Sequence, residues 1–185
     1  MDKIVSFDSE PLILVDHNGN AIGPKGKSDC HDGEGVLHRA LSVFVFNPEG
    51  EVLLQQRSGE KRLWPNFWSN SCCSHPRWGE KLTAAAHRRV DEELGMRATL
   101  TFCFDFEYHA RFRDLGSEHE YCGVFVGTSI DTPEINKNEI SDWRWISQSE
   151  LTDALAADAS HFTPWLVAEW KTLTTKFPHL LPKKH

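Results

Sequence analysis

The stretch from residue 57 to residue 79, RSGEKRLWPNFWSNSCCSHPRWG, has neither helical nor strand periodicity, yet it holds four Trp and Phe residues. A connection that long is either functional or disordered. Its aromatic side chains argue for order, because they bury large apolar areas. The clearest helix of the chain follows directly, over residues 80–94. Ala84, Ala85 and Ala86 are strong helix formers with short side chains suited to close packing. Glu80 is expected in the first turn, where negative charge is favourable, and Gly95 is expected as the C-terminal stop. The fold must therefore wrap an ordered irregular loop around the start of one helix.

The flanking segments read as strands and hairpins. Pro11–Val15 and Ala21–Ile22 flank an Asn18-Gly19 turn, and residues 23–35 read as a loop. Leu41–Phe46 and Val52–Gln56 flank a second turn, NPEG. Phe102–Phe112, Glu120–Thr128 and a short Trp143–Ile146, covered on both faces, read as strands. Residues 147–157 and 163–175 read as helices, the second opening on Thr163-Pro164. This order implies an α+β fold, with a mixed β-sheet packed between helices and an N-terminal β-hairpin extension. A chain of 185 residues suits one domain, with its core at about residues 36–170.

Composition narrows the partners. A net charge of -7 argues against nucleic acid. The first ten residues lack the apolar core of a signal peptide, and no apolar run is long enough for a bilayer, so no membrane association is expected. The five cysteines form no CxxC pair, which disfavours a zinc ribbon and fits a reduced, cytoplasmic protein.

Four groups of residues could carry chemistry. His31, His38 and His75, with Glu118 and Glu120, could supply three imidazoles and two carboxylates to one divalent ion. A strand would put Glu118 and Glu120 on the same face. Scattered histidines are more often surface groups, and spacing alone does not choose. In the helix, Arg88/Glu92 and Arg89/Glu93 are four apart, which suits either surface ion pairs or a grip on a metal or phosphate. Cys73 lies two residues before His75, in a polar loop where a thiol can be reactive or simply buried. Lys27, Arg57, Lys61, Arg62 and Arg77 could cage a diphosphate, although no Gly-rich phosphate loop is present.

The segment SHPRWGEKLTAAAHRRVDEELGM resembles a Nudix box, with Glu80, Arg88, Val90, Glu92, Glu93 and Gly95 on the pattern Gx5Ex7REUxEExGU. Ser74 replaces its first Gly, and Arg89 replaces a Glu used in diphosphate hydrolysis. That altered box, with HDGEGVLHRALS, WPNFWSNSCCSHP, the Glu118–Glu120 pair and FTPWLV, resembles the type 1 isopentenyl-diphosphate isomerases over roughly residues 11–170. The resemblance implies a Nudix-type fold and a role for each matching residue. His31, His38, His75, Glu118 and Glu120 would bind Mn²⁺, Mg²⁺ or Zn²⁺. Glu93 would help bind a Mg²⁺ that bridges the diphosphate. Lys27, Arg57, Lys61 and Arg89 would hold the diphosphate oxygens. Trp165 would face the hydrocarbon, and Cys73 and Glu120, with Tyr108 assisting, would exchange protons with the substrate.

The implied reaction converts isopentenyl diphosphate to dimethylallyl diphosphate. Protonating an unactivated alkene gives a tertiary cation, which needs a positioned acid, aromatic faces and exclusion of water. A thiol close to a metal and several bases is expected to have a lowered pKa and to serve as the base. The implied protein is a monomer or weak homodimer. Two rival readings are a Nudix diphosphate hydrolase, which Arg89 and Cys73 disfavour, and a non-catalytic metal-binding scaffold.

Overall fold

A computed structural model describes residues 3–183 of the chain. The N-terminal hairpin pairs β1 (Pro11–Val15) with β2 (Ala21–Gly26). The turn between them places Gly19 at φ 76°, with its N–H donated to the Asp16 carbonyl at 2.9 Å. The region expected to be a loop instead continues β2 to Gly26 and then forms a short helix, α1 (Lys27–His31). Lys25 and Pro24 lie opposite Leu12 and Ile13, and this pairing outweighs the glycine content of the segment.

The remaining strands are β3 (His38–Phe46), β4 (Val52–Arg57), β5 (Trp68–Ser69), β6 (Cys72–Ser74), β7 (Thr99–Phe112), β8 (Gly116–Thr128) and β9 (Ile140–Ile146). All nine strands of the described residues join one mixed sheet. β3 is its hub. It runs parallel to β8 from His38↔Glu120 to Phe46↔Thr128, and antiparallel to β1, β4 and β6. The irregular stretch 57–79 is ordered, and β5 and β6 stitch it to β4 and β3.

Alternation along β3 sends side chains to two cores. Leu41, Val43 and Val45 pack with Ala85, Ala86, Val90 and Leu94 of α2 (Leu82–Leu94). Phe44 and Phe46 pack on the opposite face against Leu151, Leu166, Trp170 and Leu173. Those residues come from α3 (Gln148–Ala157) and α4 (Pro164–Lys176). The sheet thus lies between helices, as expected. Burying each large aliphatic or aromatic side chain is worth about 1.5–3 kcal/mol, so both helical layers are firmly attached.

Several boundaries differ from expectation for identifiable reasons. α2 begins at Leu82, so Glu80 lies before it. Its carboxylate takes two bonds from Arg88, at 2.7 and 2.8 Å, and the Arg77 N–H at 2.9 Å. Charge-assisted bonds of this kind are stronger than a helix-dipole contact. The helix does end at Gly95, in the left-handed region at φ 63°. β9 extends back to Ile140 and is covered on one side only, since Arg144 is exposed and stacks its guanidinium 4.5 Å from the Trp68 ring. α3 carries a full capping box between Ser147 and Glu150.

Gly116, where β8 begins, has φ 148°, and a Cβ there would meet the His31 carbonyl oxygen at 2.2 Å. The end of α1 therefore presses directly on the start of β8, and only glycine permits it.

α4 carries an unexpected acid into the interior. Glu169 is fully buried, accepts the Ser42 hydroxyl at 2.8 Å, and has the Cys122 thiol 3.7 Å from its other oxygen. No cation pairs with it among the described residues, and burial pushes its carboxyl up to about 8. An acid raised in the folded state stabilises the fold below its unfolded pKa, and that stabilisation is lost as pH rises through the folded value. Relative to Glu169→Gln, the native chain is therefore expected to lose stability steadily between about pH 4.5 and 8. The slope should reach about 1.4 kcal/mol per pH unit. Urea unfolding of both proteins at several pH values checks this, and parallel stability curves would contradict it.

Candidate active site

Strand register builds the centre of the site. His38, Glu120 and Tyr108 lie side by side across β3, β8 and β7. Glu118 sits two residues before Glu120, on the same face of β8. His31 comes from the last turn of α1, and His75 follows directly on β6, whose Ser74 pairs with Leu41. One potential ligand atom from each of His31, His38, His75, Glu118 and Glu120 lies within 4.8 Å of all the others. Opposite ligands of a six-coordinate ion with bonds of about 2.0–2.2 Å stand about 4.0–4.4 Å apart, so the group matches the dimensions of one ion.

The finer geometry also fits a cation. His31 Nδ1 and His38 Nδ1 lie 2.6 and 2.7 Å from the Lys27 and Val36 carbonyl oxygens. Each Nδ1 must then carry the proton, which leaves an Nε2 lone pair facing inward. His31 Nε2 is 2.8 Å from Glu118 Oε2, and His38 Nε2 is 3.7 Å from Glu120 Oε1. His38 Nε2 and Glu118 Oε2 are nevertheless buried with no partner in hydrogen-bond geometry. Orphaned buried atoms of this kind are costly, and their convergence is what a borderline divalent ion would satisfy. Three imidazole nitrogens and two carboxylates are the donor set of a borderline divalent transition-metal ion rather than of a hard, oxygen-seeking one.

The protein's own electrostatics are tense at this point. Burial, reinforced by His31, pushes His38 down to about 3, and burial with the neighbouring histidines lowers His75 as well. Burial opposes charge on His31 too, but the Glu118 carboxylate more than offsets it and raises the imidazole. Burial also opposes charge on Glu118, and here His31, Arg57 and His38 win and hold it below the usual carboxylate range. Glu120 is pushed well above that range, first by burial and then by the Glu118 charge. Its Oε1 lies 2.8 Å from His75 Nε2, and its Oε2 accepts the Tyr108 hydroxyl.

Around this group opens a cavity of about 380 Å³, lined by His31, His75, Glu118 and Glu120 and also by Cys73, Tyr108 and Trp165. Cys73 lines it while Cys72 turns into the core against α2, as opposite-facing strand neighbours should. The Cys73 thiol donates to Asn70 Oδ1 at 2.8 Å and accepts the Trp165 indole N–H at 3.1 Å. The expected lowering of its pKa is not what the protein's own groups produce. Burial, followed by Glu169, pushes the thiol up to about 12, because apolar surroundings penalise the thiolate.

Trp165 belongs to an aromatic wall with Leu63, Trp64 and Phe112. The Trp64 and Trp165 rings meet edge-on, with centroids 5.2 Å apart. Trp64 has φ 48°, a conformation that is strained for a bulky residue. Arg57 holds it there by donating to the carbonyls of Trp64 and Leu63, at 3.1 and 2.9 Å. Arg57 also stacks 5.3 Å from the Trp165 ring.

The expected anion-binding residues Lys27, Arg57, Lys61 and Arg89 all line the same cavity, as does Arg62. All five have internal partners, Arg57 through the two carbonyls named above and Arg62 through Asp32 and the Leu115 carbonyl. Lys27 donates to Ser6 Oγ, Lys61 pairs with Glu139, and Arg89 binds Glu93 at 2.7 Å and approaches Glu139 at 3.4 Å. Glu93 does not line the cavity. It is buried behind Arg89, with Oε1 taking two of that guanidinium's bonds. Arg77 is not on the cavity wall either and pairs with Glu10 at 2.8 Å.

Sequence reasoning missed Ser42, Ser69, Asn70, Trp64, Glu139 and Glu169, all of which touch these groups. The one available signal was WSNS, a run of small polar residues that the structure buries almost completely.

Comparison with known proteins identifies the family. The NUDIX domain model matches residues 36–166. Isopentenyl-diphosphate Delta-isomerase of Serratia proteamaculans (strain 568) is 42% identical over 164 residues, which covers 89% of this chain and 91% of the relative. The Nocardia farcinica (strain IFM 10152) protein of the same name is 43% identical over 157 residues, or 84% and 90% of the two chains. Among solved structures, a Deinococcus radiodurans protein superposes with a TM-score of 0.72 at 23% identity, covering 88% of this chain and 98% of its own. The MutT protein of Methanosarcina mazei Go1 gives a TM-score of 0.60 at 17% identity, covering 76% and 96%. These two likenesses concern the fold alone. The chain belongs to the Nudix family and, within it, to the isopentenyl-diphosphate Delta-isomerases.

Proposed function

We propose that the chain converts isopentenyl diphosphate to dimethylallyl diphosphate, with the proton transfers carried by Glu120 and Cys73. The observation behind this reading is one cavity that holds a buried carboxyl, a buried thiol, an aromatic wall and four anion-seeking side chains. The substrate's charged end suits Lys27, Arg57, Lys61 and Arg89. Its hydrocarbon end suits Trp165, with Trp64 supporting it edge-on. Binding energy from the diphosphate would position a hydrocarbon too small to orient itself.

Glu120 is the group to supply the proton. Burial and the Glu118 charge raise its carboxyl, which favours the proton-bearing form, and Tyr108 fixes its orientation. Proton delivery to the terminal alkene carbon leaves a tertiary cation, and the face of Trp165 would stabilise it by about 0.5–2 kcal/mol. The aromatic wall keeps out water that would otherwise add to the cation. Loss of a proton from the adjacent carbon to Cys73, whose own proton must have left to solvent before the substrate closes the site, forms the new double bond. Return of that proton from solvent to Glu120 restores the starting state. The Trp165 N–H already points at the Cys73 sulfur and would support it as an anion.

A divalent ion held by His31, His38, His75, Glu118 and Glu120 would supply positive charge that strengthens the Glu120 acid and favours thiolate. We assign Mn²⁺ or Zn²⁺ to that group and Mg²⁺ to the diphosphate, with Glu93 its ligand. The Mg²⁺ assignment requires Arg89 to release the Glu93 carboxylate.

Cys73→Ala is expected to lower isomerisation at least 1000-fold, an order of magnitude of about 4 kcal/mol, while pyrophosphate affinity changes little. Near-normal turnover would remove the thiol from the reaction. Glu120→Gln is expected to be equally inactive and also to bind less Mn²⁺ or Zn²⁺ by elemental analysis. Full metal content together with full activity would refute both roles.

A further inference from the structure

The segment before β1 has no strand or helix, yet it forms part of the cavity wall. Residues 3–8 run over the charged end of the site, and Ile4, Ser6 and Asp8 line the cavity. Alternate residues of an extended segment face the same way, and Val5 between them is buried. Besides the Ser28 N–H donated to the Asp8 carbonyl at 3.0 Å and Asn138 Nδ2 donated to the Lys3 carbonyl at 3.3 Å, three side-chain donors hold the segment. Arg89 Nη1 donates to the Val5 carbonyl at 2.7 Å, and Asn136 Nδ2 donates to the Lys3 carbonyl at 2.8 Å. Lys27 donates to the Ser6 hydroxyl oxygen. Two of these three donors are cations assigned above to the diphosphate.

The direction of the Ser6 bond is informative. Because Lys27 is a donor only, Ser6 must accept, and its own proton remains available. The cavity that Ser6 lines is also lined by Lys27, Lys61 and Arg89, and a hydroxyl rotor can turn its proton towards a diphosphate oxygen attracted by these cations. The Val5 carbonyl meanwhile aims one arm of Arg89. Asp8 opposes an anion, but it is exposed, where solvent screens its charge.

Resting on the isomerase reading, we propose that residues 3–8 complete the substrate site, with Ser6 donating its hydroxyl to the diphosphate and the Val5 carbonyl orienting Arg89 towards it. Ser6 is then a binding residue for the reaction, and its contribution falls on the inert, charged end of the substrate. Removing it should weaken ground state and transition state alike, which raises KM and leaves kcat unchanged.

The test uses the full chain loaded with Mn²⁺ and Mg²⁺, with inorganic pyrophosphate as the binding probe and isopentenyl diphosphate for kinetics. A hydrogen bond to a charged oxygen corresponds to roughly a tenfold change in affinity. Ser6→Ala is expected to weaken pyrophosphate binding about tenfold and to raise KM by a similar factor. Its kcat should stay within about twofold of the native value, and Ser6→Thr should restore both. Hydrogen exchange at residues 3–8 should slow when pyrophosphate binds. Native pyrophosphate affinity and KM in Ser6→Ala would overturn the proposal. Tighter binding would also overturn it, by showing that the segment competes with the anion. A native chain that binds pyrophosphate but fails to isomerise would instead contradict the functional reading, so the two failures are distinguishable.

Discussion

Everything at the site depends on how β3 is paired. Its parallel register with β8 sets His38 opposite Glu120, and the antiparallel register of β7 with β8 sets Tyr108 on the far side of the same carboxylate. A slip of β3 by one residue would turn His38 to the other face, and a slip of β8 would turn away both carboxylates. The two hydrophobic cores forbid such a slip. They take Leu41, Val43 and Val45 on one side of β3 and Phe44 and Phe46 on the other. The energy that fixes the reacting groups is therefore mostly hydrophobic burial, spent well away from them. Gly116 adds a second constraint by letting α1 approach the start of β8, which brings His31 to the group.

The same burial creates the chemistry. A carboxyl, a thiol and three imidazoles are withdrawn from water, and each responds by favouring its neutral form unless a charge stands beside it. Glu120 and Cys73 are raised, whereas His38 and His75 are lowered. At the other end of the cavity the charges remain and are paired internally. Lys61 and Arg89 lean on Glu139, and Arg89 also leans on Glu93. A buried charge pair gains little net stability, but it keeps the cations in place for an anion. In the ion-free protein Glu93 is the carboxylate that holds Arg89 in this position.

The sequence made some of this legible and hid the rest. The helix over 82–94 was visible because its alanines, its charge spacing and Gly95 are local signals. The hairpins were visible because turn residues punctuate alternating strands. The three candidate ligand histidines were not resolved by spacing, since His31, His38 and His75 come from three separate segments that meet only in the fold. The resemblance to a family singled them out. Glu169, Ser42 and Asn70 left no local trace, because a buried polar residue looks like a surface one until its partners are known. The surroundings of Cys73 were half visible for a related reason. Neighbouring bases were visible in the sequence, while the desolvation of the sulfur was not.

The most direct test of the account is to incubate the chain with isopentenyl diphosphate, Mn²⁺ and Mg²⁺ in D₂O and to follow proton and phosphorus NMR. The account predicts deuterium-labelled dimethylallyl diphosphate with the diphosphate intact. Release of phosphate or pyrophosphate, or no reaction from folded and metal-loaded protein, would contradict it.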